Sequence, residues 1–214
     1  MLQKSYNHQY GALASIDRAV GSFQTALSPE QLANTIFVYM SDNGQTWGDH
    51  RWTSKNVPYE RSVHVPFIVK MPGQTTSQIA DELVMNADIT PTVFDLLGIT
   101  PDDPVFGSQL DGQSLLPLLV QSGTFEPRSG ILLEHLNANA DPSVPSYCGL
   151  RTRNWKYVAY SDGFEELYNM NKDPDEMKNK ASTKPAQVAR LRERTEALCD
   201  PPPPDFPQGF WANL

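Results

Sequence analysis

An apolar run, Ile36 to Met40, stops at Ser41-Asp42-Asn43-Gly44, and this junction constrains the chain more than any other stretch. A short apolar run bounded by turn residues reads as a buried strand. Gly44 permits a backbone turn that other residues resist. A carboxylate and a carboxamide therefore stand at the carboxyl end of a buried strand, where open α/β sheets place their ligands. Two adjacent oxygen side chains suit a hard cation such as Ca²⁺ or Mg²⁺. Taken alone, Asp42-Asn43-Gly44 more often makes an ordinary turn. Lys55 follows in the same stretch and offers a compact positive charge to an anionic group. A second apolar run, Val65 to Lys70, returns toward the sheet and stops at Met71-Pro72-Gly73.

The chain has 214 residues, enough to bury a sizeable core as one large domain or one and a half. Its 39% hydrophobic content is that of a globular protein. The net charge of −8 argues against nucleic acid as a partner, because phosphate binding wants a basic face. An anionic substrate must then be drawn by a local site. No apolar run is long enough to span a membrane. The amino terminus, Met1 to His8, has no apolar segment of the kind found in signal peptides. Two cysteines, Cys148 and Cys199, are too few for a disulfide framework or a zinc site. They form either one disulfide, tying the last helix to a strand, or two free thiols.

Leu13, Ile16, Val20, Phe23 and Leu27 make one stripe on a helix from about Tyr10 to Leu27, and such a stripe is expected to be core. Gly21 would let that helix pack closely on a sheet. Ser28-Pro29-Glu30-Gln31 reads as a capping box with Pro at the first helical position. Residues 45–63 look too irregular for one element and read as an active-site loop. In it, His50 and Arg51 are placed to touch substrate or a neighbouring carboxylate, or simply to be solvated. Asp88 is expected to cap a helix that stops at Gly98. Ile131 to His135 is a strand, followed by Ser146–Arg153, Trp155–Ser161 and Glu165–Met170 as an antiparallel meander. Gln187 to Leu198 is a helix, and Pro201 onward is expected to be extended.

The central stretch resembles the sulfatase family of the alkaline-phosphatase superfamily. The residues that carry the resemblance are Ser41-Asp42-Asn43-Gly44, Gly48-Asp49-His50, Lys55, Tyr59-Glu60, His64-Val65-Pro66-Phe67-Ile68-Val69 and Pro72-Gly73, in the family's order. His64 stands where the family often has Arg. Asp88 with Thr90-Pro91-Thr92, and the segment Leu110 to Leu119, resemble further family segments. The segment from Tyr147 to Asn179 is similar to the carboxy-terminal subdomain of sulfatases, most of all in the branch that includes N-acetylglucosamine-6-sulfatases and arylsulfatases.

The resemblance implies an α/β, alkaline-phosphatase-like sulfatase fold that is incomplete, with a small carboxy-terminal antiparallel sheet plus helix. Residues 1–125 would be the distal part of the catalytic domain, 126–200 the carboxy-terminal subdomain and 201–214 the tail. Asp42 and Asn43 would hold a divalent cation, Ca²⁺ or Mg²⁺. Lys55 would bind sulfate, and His50 would orient sulfate or the leaving sugar. The substrate would be a sulfated carbohydrate or aryl sulfate.

The family's nucleophile is a formylglycine made within C/S-x-P-x-R. Cys148 is followed by Gly-Leu-Arg and Cys199 by Asp-Pro-Pro-Pro, so neither fits. The nucleophile and the family's first pair of metal carboxylates are therefore expected on a missing amino-terminal half, and this chain alone is expected to be inactive. By resemblance the compartment is periplasmic, extracellular or lysosomal. Two alternatives remain open: a phosphatase or phosphonate hydrolase of the same superfamily, and an inactive chain that packs on a partner.

Overall fold

The computed structural model describes residues 2–99, 110–137 and 144–214. Residues 138–143, within the Gly-, Pro- and Asn-containing region between Gln121 and Pro145, lie outside the described residues.

The chain opens with α1 (Leu2–Ala26), and α2 (Pro29–Leu32) follows. The expected capping box is present: the Ser28 side chain accepts from the Gln31 N–H at 3.2 Å, and the Ser28 N–H donates to Gln31 Oε1 at 2.9 Å. The expected burial of the α1 stripe is not met. Leu13, Ile16 and Phe23 stay exposed, Phe23 by 66%. A side chain at Gly21 would meet nothing within 4 Å, so the close packing expected there is also absent among the described residues. The physical reason is that no neighbouring element among the described residues covers this face; Tyr6, edge-on to Trp47 at 6.3 Å, supplies an aromatic contact with the body. No helix among the described residues is long and apolar enough to cross a membrane.

Two strands, β1 (Phe37–Met40) and β4 (Phe67–Lys70), form an antiparallel pair with Val38 opposite Val69 and Met40 opposite Phe67. Both runs were legible as apolar strands, each one or two residues longer. Between them the stretch read as one irregular loop has its own structure. A two-strand hairpin, β2 (Thr46–Trp47) and β3 (Thr53–Ser54), closes around a 3-10 turn at Asp49–Arg51, and α3 (Glu60–Val63) follows.

The helix α4 (Ile89–Leu97) ends at Gly98 with a left-handed φ of 67°, as its glycine stop predicts. Asp88 stands at the N-cap of α4, as expected, but its side chain makes no capping hydrogen bond to the helix. Its fully buried carboxylate instead accepts from Met85 N at 2.8 Å, Gln113 N at 2.9 Å and Arg128 Nη1 at 2.7 Å. A buried charge needs a counter-charge and filled lone pairs, and Arg128 supplies the first. Asp88 therefore joins the helix to the loop before α5 (Leu116–Val120).

The main core lies in a four-stranded antiparallel sheet of β5 (Ile131–His135), β6 (Tyr147–Arg151), β7 (Trp155–Tyr160) and β8 (Glu165–Asn169), in chain order. Period-two alternation gives it two faces. On one, Cys148, Leu150, Tyr157, Ala159 and Leu167 pack against Val188 and Leu191 of α6 (Pro185–Leu198). On the other, Tyr147, Val158, Tyr160 and Tyr168 pack against Val57 and Tyr59, which come from the segment between β3 and α3. Cys148 and Cys199 form a disulfide with Cα atoms 6.4 Å apart, joining β6 to the end of α6. The tail after Pro201 is not extended. It folds back through a 3-10 turn at Phe210–Asn213 and buries Phe206 and Phe210 in the first face. Three aromatic rings, Phe206, Phe210 and Trp211, carry more apolar area than solvent tolerates cheaply.

Candidate active site

At the end of β1 the backbone is held by its own side chains. Ser41 Oγ donates to the Asn43 carbonyl at 2.8 Å, and Asn43 N donates to Asp42 Oδ1 at 2.9 Å. Asn43 Nδ2 donates to the Gly44 carbonyl at 2.8 Å. That bond turns the amide so that Asn43 Oδ1 receives the Lys55 ammonium at 2.8 Å. The structure thus brings Asn43 and Lys55 into direct contact across a hairpin. Asp42, Asn43 and Lys55 all line one open cleft of about 1400 Å³.

Gly44 has a steric reason. Its N–H donates to the Ser62 carbonyl at 2.8 Å, and a side chain there would collide with the Arg61 carbonyl. Asn86 Nδ2 donates to the Ser41 and Asp42 carbonyls at 3.2 and 3.4 Å, bracing the turn from the other side. The approach to Lys55 is unusual backbone. His50, Arg51 and Asn56 all have positive φ, between 52° and 74°. Such non-glycine residues are uncommon, persist only where surrounding packing imposes them, and cluster at functional sites.

His50 is placed elsewhere. Its ring stacks flat on Tyr59, centroids 3.8 Å apart at 4°, and its Nε2 lies 3.1 Å from the Asp175 carbonyl. It is not among the residues that line the cleft.

The packing that imposes the loop comes from the second face of the sheet. Lys156, on β7 and fully buried, donates to the Pro58 carbonyl at 2.8 Å. The same ammonium lies 2.7 Å from Glu60 Oε1 and 2.6 Å from Glu176 Oε1. Glu176 in turn accepts the Glu60 N–H at 2.7 Å, and Arg151 Nε donates to Glu60 at 2.9 Å. Burial alone would raise the Glu60 carboxyl, but Lys156 and Arg151 together hold it down, to about 2. Glu176 lies deeper with one cation, and burial pushes its carboxyl up. Beside this network Glu166 accepts from Tyr59 and Tyr160, each at 2.9 Å, and burial next to that carboxylate raises both phenols.

Asp42, Asn43 and Lys55 were legible as oxygen and ammonium donors in one stretch. Arg151, Lys156 and Glu176 were not singled out. The available signal was period two: Lys156 alternates with Val158 and Tyr160, so it points to the same covered face and requires a partner there.

The model of the N-sulphoglucosamine sulphohydrolase carboxy-terminal region matches residues 48–199. The chain belongs to the sulfatase family. Arylsulfatase K of Gallus gallus is 36% identical to this sulfatase chain over 203 residues, which cover 90% of it and 36% of that protein. The sulfatase chain therefore spans about a third of the length of that curated relative, as the 36% share states. Among solved structures, BT4656 in complex with its substrate D-glucosamine-2-N,6-O-disulfate superposes with a TM-score of 0.71 at 27% identity, over 90% of this chain and 40% of that one. A phosphonate monoester hydrolase of Agrobacterium radiobacter superposes with a TM-score of 0.71 at 26% identity, over 88% of this chain and 39% of that one. The described residues are a carboxy-terminal α/β portion of the alkaline-phosphatase-like sulfatase fold, as the motifs imply.

Proposed function

We propose that this chain is the carboxy-terminal part of an enzyme that hydrolyses sulfate esters, with a sulfated sugar or aryl sulfate as substrate. The observation that carries the reading is the joint placement of Asp42, Asn43 and Lys55 on one cleft, in a chain that matches arylsulfatases along most of its length.

The donor set fits a hard divalent cation, Ca²⁺ or Mg²⁺. One carboxylate oxygen of Asp42 has no hydrogen bond among the described residues, and Asn43 Oδ1 already draws an ammonium. Such a cation, when bound, supplies a Lewis acid that polarises a sulfate oxygen. The side chains of Asp42 and Asn43 would hold it. Lys55 binds a sulfate oxygen and offsets charge on the leaving ester oxygen. His50, stacked on Tyr59 outside the cleft, is given no part in binding the sulfate. Two oxygens are far fewer than the six to eight that Ca²⁺ takes. The remaining ligands and the formylglycine nucleophile come from an amino-terminal half outside these 214 residues. Support for that half comes from the open apolar faces of α1 and of the β1–β4 pair, where Phe23 and Ile68 are exposed.

The likeness to a phosphonate monoester hydrolase favours a second reading, in which the same cleft takes a phosphonate ester. In the full-length protein an aryl sulfate and a phosphonate monoester are to be compared as substrates. Preferential sulfate-ester turnover is expected, falling at least ~100-fold in Lys55→Ala, the order seen when one positioned charge is removed. Turnover confined to the phosphonate ester would select the second reading. Unchanged turnover in Lys55→Ala would remove the role given to that residue.

A further inference from the structure

We propose that Lys55 and the divalent cation compete for one atom, Asn43 Oδ1, so that Lys55 is released to the substrate anion only once the cation is in place. This deepens the reading of Asp42 and Asn43 as cation ligands and rests on it.

The amide nitrogen of Asn43 is committed to the Gly44 carbonyl at 2.8 Å, which fixes the amide oxygen outward. That oxygen receives Lys55 Nζ at 2.8 Å. The ammonium is thus a stand-in cation, seated on an atom that a metal would take. A lysine ammonium is a point charge on a flexible stem, and here the side chain is exposed, so it has room to swing away once a cation displaces it. The backbone beneath it cannot follow, because Val57 and Tyr59 are buried in the sheet face and Pro58 is held by Lys156.

A hard divalent cation carries twice the charge and binds oxygen at roughly 2.0–2.6 Å. Two cations sharing one amide oxygen would lie only a few ångströms apart, and their repulsion favours separation. The displaced ammonium remains tethered at the same cleft wall, where a sulfate oxygen is its natural next partner. The order of binding follows: cation first, anion second.

Calcium titration of the full-length protein by calorimetry, with no sulfate present, tests this. Removing the competitor in Lys55→Met is expected to tighten Ca²⁺ binding roughly tenfold, an ordinary size for coupling between sites. A lysine that served only substrate would leave the affinity unchanged, and one that supported the ligands would weaken it; either outcome overturns the proposal. Inorganic sulfate serves as the second probe and is expected to bind the unsubstituted protein only when Ca²⁺ is present. Equal sulfate binding with and without Ca²⁺ would also overturn it. Lys55→Gln gives the same comparison if the Met variant does not fold. No Ca²⁺ or Mg²⁺ binding by the unsubstituted protein would instead defeat the underlying reading of Asp42 and Asn43.

Discussion

Glu60 shows how far one side chain can carry structural consequence. It sits at the start of α3, directly after the loop that bears Lys55, and meets two cations from two different strands. Its carboxyl is held at about 2 rather than 4.5. A depressed carboxyl stabilises the fold above its unfolded value and loses that contribution as pH falls through the folded one. The network therefore contributes fully above pH 4.5 and is lost on acidification toward pH 2. The size is ~3 kcal/mol, from the conversion of a pKa difference into free energy. Thermal melts of the full-length protein and of Glu60→Gln are expected to diverge above pH 4.5 and to converge near pH 2. Parallel curves across that range would show that Glu60 is not coupled to Lys156 and Arg151 as the geometry indicates. The same reasoning explains why Lys156 can be fully buried: it has two carboxylates and a carbonyl within hydrogen-bonding distance.

At the scale of elements, the sheet β5–β8 acts as the platform for the site, and α6 is fastened to it covalently. The Cys148–Cys199 disulfide closes a sequence separation of 51 residues. Constraining a loop of that length in the unfolded chain is worth ~4 kcal/mol in the chain-entropy model. Replacing both cysteines by Ala is expected to lower unfolding stability by about that amount, read from urea melts. A change below ~1 kcal/mol would mean that packing of Leu191, Phe206 and Phe210 alone holds α6 in place. Buried disulfides persist in oxidising compartments. The elements themselves were largely legible. The meander from Tyr147 to Asn169 matches its alternation and its turns at Arg153-Asn154 and Asp162-Gly163. The short helix after Ser28 matches its capping box. The tail departs from the extended path that its prolines predict, because Phe206 and Phe210 bury in the sheet face.

For the molecule as a whole, the two halves are unequally finished. The carboxy-terminal sheet has a closed core on both faces. The amino-terminal half leaves apolar surface uncovered on α1, on the β1–β4 pair and on α4, with Phe23, Ile68 and Leu97 exposed by 66%, 60% and 68%. Large apolar side chains left exposed on three elements seek a cover, and a short paired ribbon presents strand edges for pairing. The 214-residue chain expressed alone is therefore expected to self-associate, as read by light scattering. A monomer with a sharp melting transition would contradict this.

What the sequence determined by itself was local: the two apolar runs, the turn at Asp42-Asn43-Gly44, the position of Lys55, the meander and the last helix. These follow from period, turn chemistry and order along the chain, all of which act over a few residues. Only the tertiary structure decided which distant groups meet. Glu60 joins Arg151 and Lys156 across some ninety residues. Asp88 meets Arg128, Cys148 pairs with Cys199, and His50 lies against Tyr59 rather than in the cleft. The exposed stripe of α1 has the same origin. Periodicity specifies that a face is apolar, while the identity of its cover depends on which elements the folded chain brings against it.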